Sequence, residues 1–147
     1  MRISKKAEYA LRALVAICRE PNKSWPITEL AVKERISVKF LEQILLSLRH
    51  AGILASKRGV GGGYTLVRPP DEIYLGEVIA VFDGPMTPVG CAAEKPSEEC
   101  TCPEPRTCPI RLMMVGIRKE MAEIFDKRTI EDMLRLAPGA AAMAFDI

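Results

Sequence analysis

The spacing of apolar residues predicts a first helix over residues 5–19. Apolar side chains recur there three and four positions apart, as on the buried face of an amphipathic helix. They include Ala7, Ala10, Leu11, Leu14 and Cys18. Ser4 is suited to the N-cap position, and Pro21 ends the helix. Because Cys18 lies on the apolar stripe, we interpret it as a small buried hydrophobe.

Two further helices follow, joined by a short turn. The first begins at Thr28, whose hydroxyl can cap it, and the second begins at Ser37 and ends at Gly52, a residue suited to a left-handed cap. An apolar face on the second of these helices leaves its polar side chains facing outward. These are Lys39, Glu42, Gln43 and Arg49. Two short helices in this order, the second displaying side chains that reach base edges, are typical of a helix-turn-helix.

Residues 53–57 and 64–68 read as two short strands around a glycine-rich loop that is basic at its start. The loop fits neither nucleotide-binding pattern, since Tyr64 replaces the last glycine of G-x-G-x-x-G and no Gly-Lys-Ser/Thr follows. We expect the glycines to supply positive φ angles and close backbone approach at a hairpin tip against DNA. Lys57 is then placed on phosphate and Arg58 in a minor groove, with Gly59 beside them. The pattern predicts a winged helix-turn-helix.

A long helix is predicted after Pro109, which suits a first helical turn. Its apolar residues are spaced alternately four and three apart, at Ile110, Met114, Ile117, Met121 and Ile124. An apolar stripe with such regular spacing is expected to pack against a partner helix. This favours a symmetric homodimer. The predicted fold is therefore mainly α-helical with a small β-hairpin wing. It comprises a winged helix-turn-helix domain (1–83), a cysteine-rich loop (84–108), a dimerisation helix with a short following helix (109–136), and a flexible tail (137–147).

Charge divides the chain into two unlike halves. Residues 1–68 carry 13 Lys and Arg against 5 Asp and Glu, whereas the remainder carries 8 against 14. This asymmetry indicates a basic binding half, although two solvated surfaces of opposite sign are an alternative. No apolar run approaches the roughly 20 residues of a membrane-spanning helix. We therefore expect a cytoplasmic protein that has no membrane partner and whose thiols stay reduced.

Four of the five cysteines fall between Cys91 and Cys108. In a reducing compartment they could hold an iron-sulfur cluster, hold a structural zinc ion, or form a thiol redox switch. The spacing contains no C-x-x-C pair, the commonest zinc arrangement. Glutamates crowd the loop and are expected to disfavour thiolates unless a metal compensates. This ranks a metal above a bare thiol switch.

Three segments, in order, carry a resemblance to a known family. They are "AEYALRALVAI", "ISVKFLEQILLSLRHAGIL" and "SKRGVGGGYTL". The chain resembles the winged-helix transcriptional regulators that include IscR, NsrR and CymR, the Rrf2 family. The resemblance implies a homodimeric repressor on a palindromic operator in double-stranded DNA, with the third helix in the major groove and the wing in the minor groove. It implies base contacts by Lys39, Glu42 and Gln43, and it makes Arg58 the wing arginine.

The resemblance also implies an iron-sulfur cluster, of the 2Fe-2S or 4Fe-4S type. Relatives that carry a cluster often have five residues between their last two cysteines, as Cys102 and Cys108 do. With Cys91 as the third member, these are the expected metal ligands. Weaker candidates are Cys100, an alternate to its neighbour, and Glu8, which stands where some relatives supply a carboxylate. Other relatives carry a histidine three residues after the last cysteine, and here that residue is Arg111.

The sequence thus predicts a homodimeric, sequence-specific DNA-binding regulator whose operator binding is controlled by an iron-sulfur cluster, and not an enzyme. The alternative is the same regulator sensing through zinc, thiol oxidation or a protein partner. A small electron carrier or redox enzyme built on the cysteine loop is a third hypothesis, but it leaves the winged-helix pattern unexplained.

Overall fold

A computed structural model describes residues 2–96 and 99–136. Six helices and one hairpin make up this part of the chain, which confirms the predicted fold class. The elements are α1 (Lys5–Arg19), α2 (Ile27–Glu34), α3 (Val38–His50), β1 (Leu54–Lys57), β2 (Gly63–Leu66), α4 (Leu75–Asp83), α5 (Pro109–Lys127) and α6 (Ile130–Arg135). Single 3-10 turns cover Pro70–Glu72 and Gly90–Ala92. The predicted tail, 137–147, lies outside the described residues.

Side-chain caps explain where α1 and α3 begin. Ser4 Oγ accepts a hydrogen bond from the Ala7 N–H at 3.1 Å, and Ser37 Oγ accepts one from the Phe40 N–H at 3.3 Å. The predicted cap on α2 is wrong, because that helix begins at Ile27 and Thr28 lies inside it. Pro26 takes the N-cap position instead, and its carbonyl accepts the Leu30 N–H at 3.1 Å, closing the first turn.

One apolar core joins the first four helices to the hairpin. The predicted inward faces of α1 and α3 are buried as expected, and Cys18 is only 6% exposed. Trp25, from the linker before α2, is among the largest fully buried side chains. Val78 and Ile79 of α4 close this core. The helix-turn-helix is therefore rigidly supported from behind, which leaves its polar face free for a ligand.

The wing is a two-stranded antiparallel hairpin anchored to the linker before α2. Leu54 pairs with Leu66 and Lys57 with Gly63. Trp25 adds a bridge to Tyr64: the Trp25 N–H donates to the Tyr64 carbonyl at 3.0 Å, and the Tyr64 N–H donates back at 2.8 Å. These bonds fix the base of the wing against the core.

The last two helices are tied to the start of α4. The Leu75 N–H donates to the Arg128 carbonyl at 2.8 Å, and the Ile130 N–H donates to the Ile73 carbonyl at 3.0 Å. All residues of α5 are described and none is buried. The long helix therefore touches the rest of the chain along one side only. Among the described helices, none is long and apolar enough to cross a membrane.

Candidate nucleic-acid interface and cysteine loop

The polar face of α3 is fully available to a ligand. Lys39, Glu42 and Gln43 are all exposed, as predicted. At the other end of the helix, Arg49 Nη1 donates to Ser56 Oγ of β1 at 3.1 Å. The structure thus joins the end of α3 to the first wing strand.

Side chains of α1 hold α3 and α2 in place. The Tyr9 ring meets the Phe40 ring edge to face, with centroids 5.7 Å apart. The Arg12 guanidinium lies 5.0 Å from the centre of the Tyr9 ring, and Arg12 Nε donates to Glu34 Oε2 at 3.3 Å. Together these contacts orient the first turn of α3 relative to α1.

The turn between α2 and α3 contains a residue that sequence reasoning missed. Arg35 adopts a left-handed conformation, with φ of 55°. The Ile36 N–H then donates to the Ala31 carbonyl at 3.0 Å, which closes the end of α2. Glycine or asparagine usually signals such a position, and an arginine provides no such signal.

The tip of the wing is a tight turn built on glycines. The Gly62 N–H donates to the Gly59 carbonyl at 3.0 Å, and Gly61 has φ of +73° in third position, which is the geometry of a type II turn. Gly59 has φ of +92°, so the predicted positive φ is confirmed at the residue expected to approach DNA. Lys57, Arg58 and Gly59 are all exposed at this tip.

Two thiols of the cysteine loop lie close together at the start of α5. Cys108 is the N-cap residue of α5, and its Sγ lies 4.0 Å from that of Cys102. Cys91, in the 3-10 turn, and Cys100 line a cavity of about 460 Å³ together with Arg111. All five cysteines are free thiols.

Hydrogen bonds within the loop shift the acidity of three of its thiols. The pKa of Cys100 lies below its usual value, chiefly because of a hydrogen bond from the Cys102 backbone and also through the Cys102 and Cys91 thiols. The pKa of Cys108 is also lowered, first by the Arg111 backbone N–H. Hydrogen bonding with Cys100 and Cys108 raises the pKa of Cys102 to about 11. Hydrogen bonds therefore make the thiolate easier to form at Cys100 and Cys108 and harder to form at Cys102.

Two arginines of α5 hold the loop that carries Cys91. Arg111 Nε donates to the Cys91 carbonyl at 3.1 Å, and Arg118 Nη1 lies 3.4 Å from Glu94 Oε1. The seven-residue spacing places both arginines on one face of the helix. That spacing was available in the sequence, but it did not indicate which loop atom Arg111 would meet.

The thiol donor set suits a thiophilic metal, and two of its members are close enough to share one ion. Ligands about 2.3 Å from a tetrahedral metal lie roughly 3.8 Å apart, near the 4.0 Å between Cys102 and Cys108. Within residues 2–96 and 99–136, no group of three or more His, Cys, Asp or Glu is arranged to hold an ion.

The structure separates Glu8 from the cysteines. Its carboxylate accepts from Lys5 Nζ at 2.8 Å, and it lines a second cavity, of about 360 Å³, with Arg12 and Met133. Glu8 therefore lines a different cavity from Cys91 and Cys100.

Comparison with known proteins agrees with this architecture. The family described as Rrf2, iron-dependent transcriptional regulator, matches residues 3–136. An Rrf2-like helix-turn-helix regulator of Rhodobacter capsulatus is 34% identical, covering 98% of this chain and 99% of its own length. The regulator CymR of Bacillus subtilis is 31% identical over 95% of this chain and 94% of its own length.

Solved structures of relatives show the same fold. One of them is CymR, the global cysteine regulator of B. subtilis. Its structure superimposes with a TM-score of 0.77 at 30% sequence identity and covers 94% of this chain and 99% of the CymR chain. IscR of T. potens gives 0.73 at 26% identity, over 95% of this chain and 90% of its own. The named relatives are transcriptional regulators, which confirms the predictions that this chain is a regulator and that it is not an enzyme. On the sequence match and the shared winged-helix fold, the chain belongs to the Rrf2 family of transcriptional regulators.

Proposed function

We propose that this protein is a homodimeric repressor of the cytoplasm that binds a palindromic operator with an affinity controlled by an iron-sulfur cluster in the cysteine loop. The observation that carries this proposal is the closeness of two thiols at the start of α5, since Cys108 is the N-cap residue of that helix and its Sγ lies 4.0 Å from that of Cys102. A group bound there sits at one end of the helix proposed to join two copies of the chain.

The exposed face of α3 has the chemistry needed to read bases. Gln43 can form paired hydrogen bonds with adenine, and Glu42 can accept from the cytosine amino group. Lys39 lies one turn before Gln43 on the same exposed helix. We assign sequence specificity to these three side chains. We assign phosphate contact to Lys57 and minor-groove contact to Arg58.

The apolar side of α5 supports the homodimer. Ile110, Ile117 and Ile124 are 63%, 38% and 59% exposed, and they recur every seven residues along one side of the helix. The other side faces α4 and the cysteine loop. A second α5 packed on the isoleucines would remove them from water, which is the main favourable term in association.

The ligands proposed for the cluster are Cys91, Cys102 and Cys108, with Cys100 as an alternate and Glu8 of the second subunit as a weaker candidate. When bound, a cluster supplies a centre that oxidation or nitrosylation can alter or remove. Arg111 holds the Cys91 backbone, and the other end of α5 is joined through Arg128 to α4. A change in the loop can therefore shift the helix-turn-helix of each subunit, provided the bound group favours one arrangement over the other.

A second candidate is the same regulator sensing through zinc or through its thiols. The 4.0 Å separation between Cys102 and Cys108 also suits a single zinc ion. The lowered pKa values of Cys100 and Cys108 favour thiolates, the reactive form. This candidate leaves the DNA-binding function unchanged.

The first experiment is visible absorption, with iron and acid-labile sulfide analysis, on protein purified without oxygen. Matched iron and sulfide with visible colour are expected. The combined Cys91→Ala, Cys102→Ala and Cys108→Ala variant should lose the colour and change its operator affinity, whereas Cys18→Ala should keep both. Colourless protein that cannot be reconstituted, or unchanged operator binding by the triple variant, would refute control by a cluster.

Two single variants test the assignment of the reading face. Gln43→Ala should lose affinity for the operator while keeping its affinity for random DNA, because it removes a base contact. Lys57→Ala should weaken both and flatten the salt dependence by about one counterion. Equal losses on operator and random DNA for Gln43→Ala would contradict its role in sequence choice.

A further inference from the structure

A valine lies at the tip of the wing, where its side chain is fully exposed and adds nothing to the stability of the fold. Val60 is 107% exposed, more than any other large apolar side chain among the described residues, the next being Val32 at 80%. Turns favour glycine, proline, asparagine, aspartate and serine at such positions. Val60 makes no contribution to the core, so its chemistry is available to a ligand.

The turn that carries this side chain is tightly folded. Val60 occupies the second position of the type II turn that the Gly62 N–H and the Gly59 carbonyl close at 3.0 Å. A Cβ added at Gly62 would lie 2.3 Å from the Lys57 carbonyl oxygen, so the loop folds tightly back on its own strand. Valine is also restricted at χ1. Burying the Val60 side chain against a ligand therefore costs little side-chain conformational entropy.

We infer that Val60 is a specificity-determining residue that distinguishes A·T from G·C pairs in the minor groove. The inference rests on the proposed function, in which the neighbouring Arg58 enters that groove. In the minor groove, A·T and T·A present only acceptors, whereas G·C adds the guanine N2 amino donor. The valine methyl groups have no acceptor to offer this donor and exclude the water that would otherwise satisfy it.

The size of the effect follows from the cost of a buried, unpaired donor. A duplex with G·C at the pair under Val60 should bind on the order of tenfold more weakly than one with A·T. Inosine·cytosine lacks the N2 amino group, so it should bind like A·T although its major-groove face resembles G·C. This comparison separates reading by Val60 from reading by α3.

The test uses full-length protein purified without oxygen and a duplex enriched from a random library by that protein. Pairs in the stretch protected by the wing are replaced one at a time by G·C and by inosine·cytosine, and affinities are measured at fixed salt. The Val60→Thr variant keeps the shape but adds a hydroxyl that can accept from guanine N2, so its penalty for G·C should fall to about twofold or less. Val60→Ala should bind the A·T duplex about fivefold more weakly. Val32→Thr, the same change on α2, should behave as the unmodified protein.

The outcomes separate this inference from the proposed function. If both Val60 variants keep the discrimination of the unmodified protein at every pair, the inference is overturned while DNA binding stands. If inosine·cytosine binds as weakly as G·C, the reading occurs in the major groove and the inference is likewise overturned. If no sequence is enriched from the library, sequence-specific DNA binding fails and the inference fails with it.

Discussion

Replacing Gly63 by alanine should detach the wing from the core. Gly63 has φ of +150°, and a Cβ added there would lie 2.4 Å from the Trp25 carbonyl carbon and oxygen. These are backbone atoms, so no rotamer change can relieve the clash. We expect the Trp25–Tyr64 bridge to break, with the loss of two hydrogen bonds of about 1 kcal/mol each. Adding the backbone strain of a β-carbon at this φ gives a destabilisation of about 3 kcal/mol.

Thermal unfolding followed by circular dichroism measures this effect. At fixed protein concentration and metal content, Gly63→Ala should lower Tm by about 10 °C. Gly61→Ala is the matched control, because Gly61 also has a positive φ, of +73°, but an added Cβ meets nothing within 4 Å. It should cost only about 1 kcal/mol. Equal losses in the two variants, or an unchanged Tm for Gly63→Ala, would refute the proposed anchoring of the wing.

Three other predictions concern α5 and the thiols. Ile117→Glu should make the protein monomeric at micromolar concentration in sedimentation equilibrium, while Lys119→Glu should leave the dimer intact; a dimeric Ile117→Glu protein would contradict the proposed interface. Cys18 is only 6% exposed and burial raises its pKa to about 12, so in metal-free native protein at pH 8 it should react with iodoacetamide only after denaturant is added, whereas Cys100 and Cys108, whose pKa values are lowered, should react fastest. Rapid reaction of all five would show that Cys18 is accessible. Arg111→Met removes the hydrogen bond to the Cys91 carbonyl, and cluster-loaded protein should then lose iron and sulfide severalfold faster in air than a Lys119→Met control. Equal rates would show that Arg111 does not hold the loop.

The sequence by itself determined that helices α1, α2 and α3 form and that a hairpin wing follows them. Residues 5–19 were predicted as a helix capped by Ser4, and the structure has those bounds and that cap. Such features depend on groups within a few positions of one another: apolar side chains at helical spacing, a hydroxyl near free N–H groups, and glycines where φ is positive. Where two nearby groups could serve, as with Thr28 and Pro26 at the start of α2, the local pattern indicated the helix but not its first residue.

Only the tertiary structure decided what joins distant segments and how the thiols behave. The Trp25–Tyr64 bridge links two backbone segments, and the bond from Arg111 Nε to the Cys91 carbonyl links a side chain to a distant backbone group. Nothing in the local sequence pairs these groups. The lowered pKa values of Cys100 and Cys108 have the same origin, because folding brings backbone hydrogen-bond donors close to both thiols. Hydrogen bonds and charges act over a few ångströms in space, whereas a sequence records only separation along the chain.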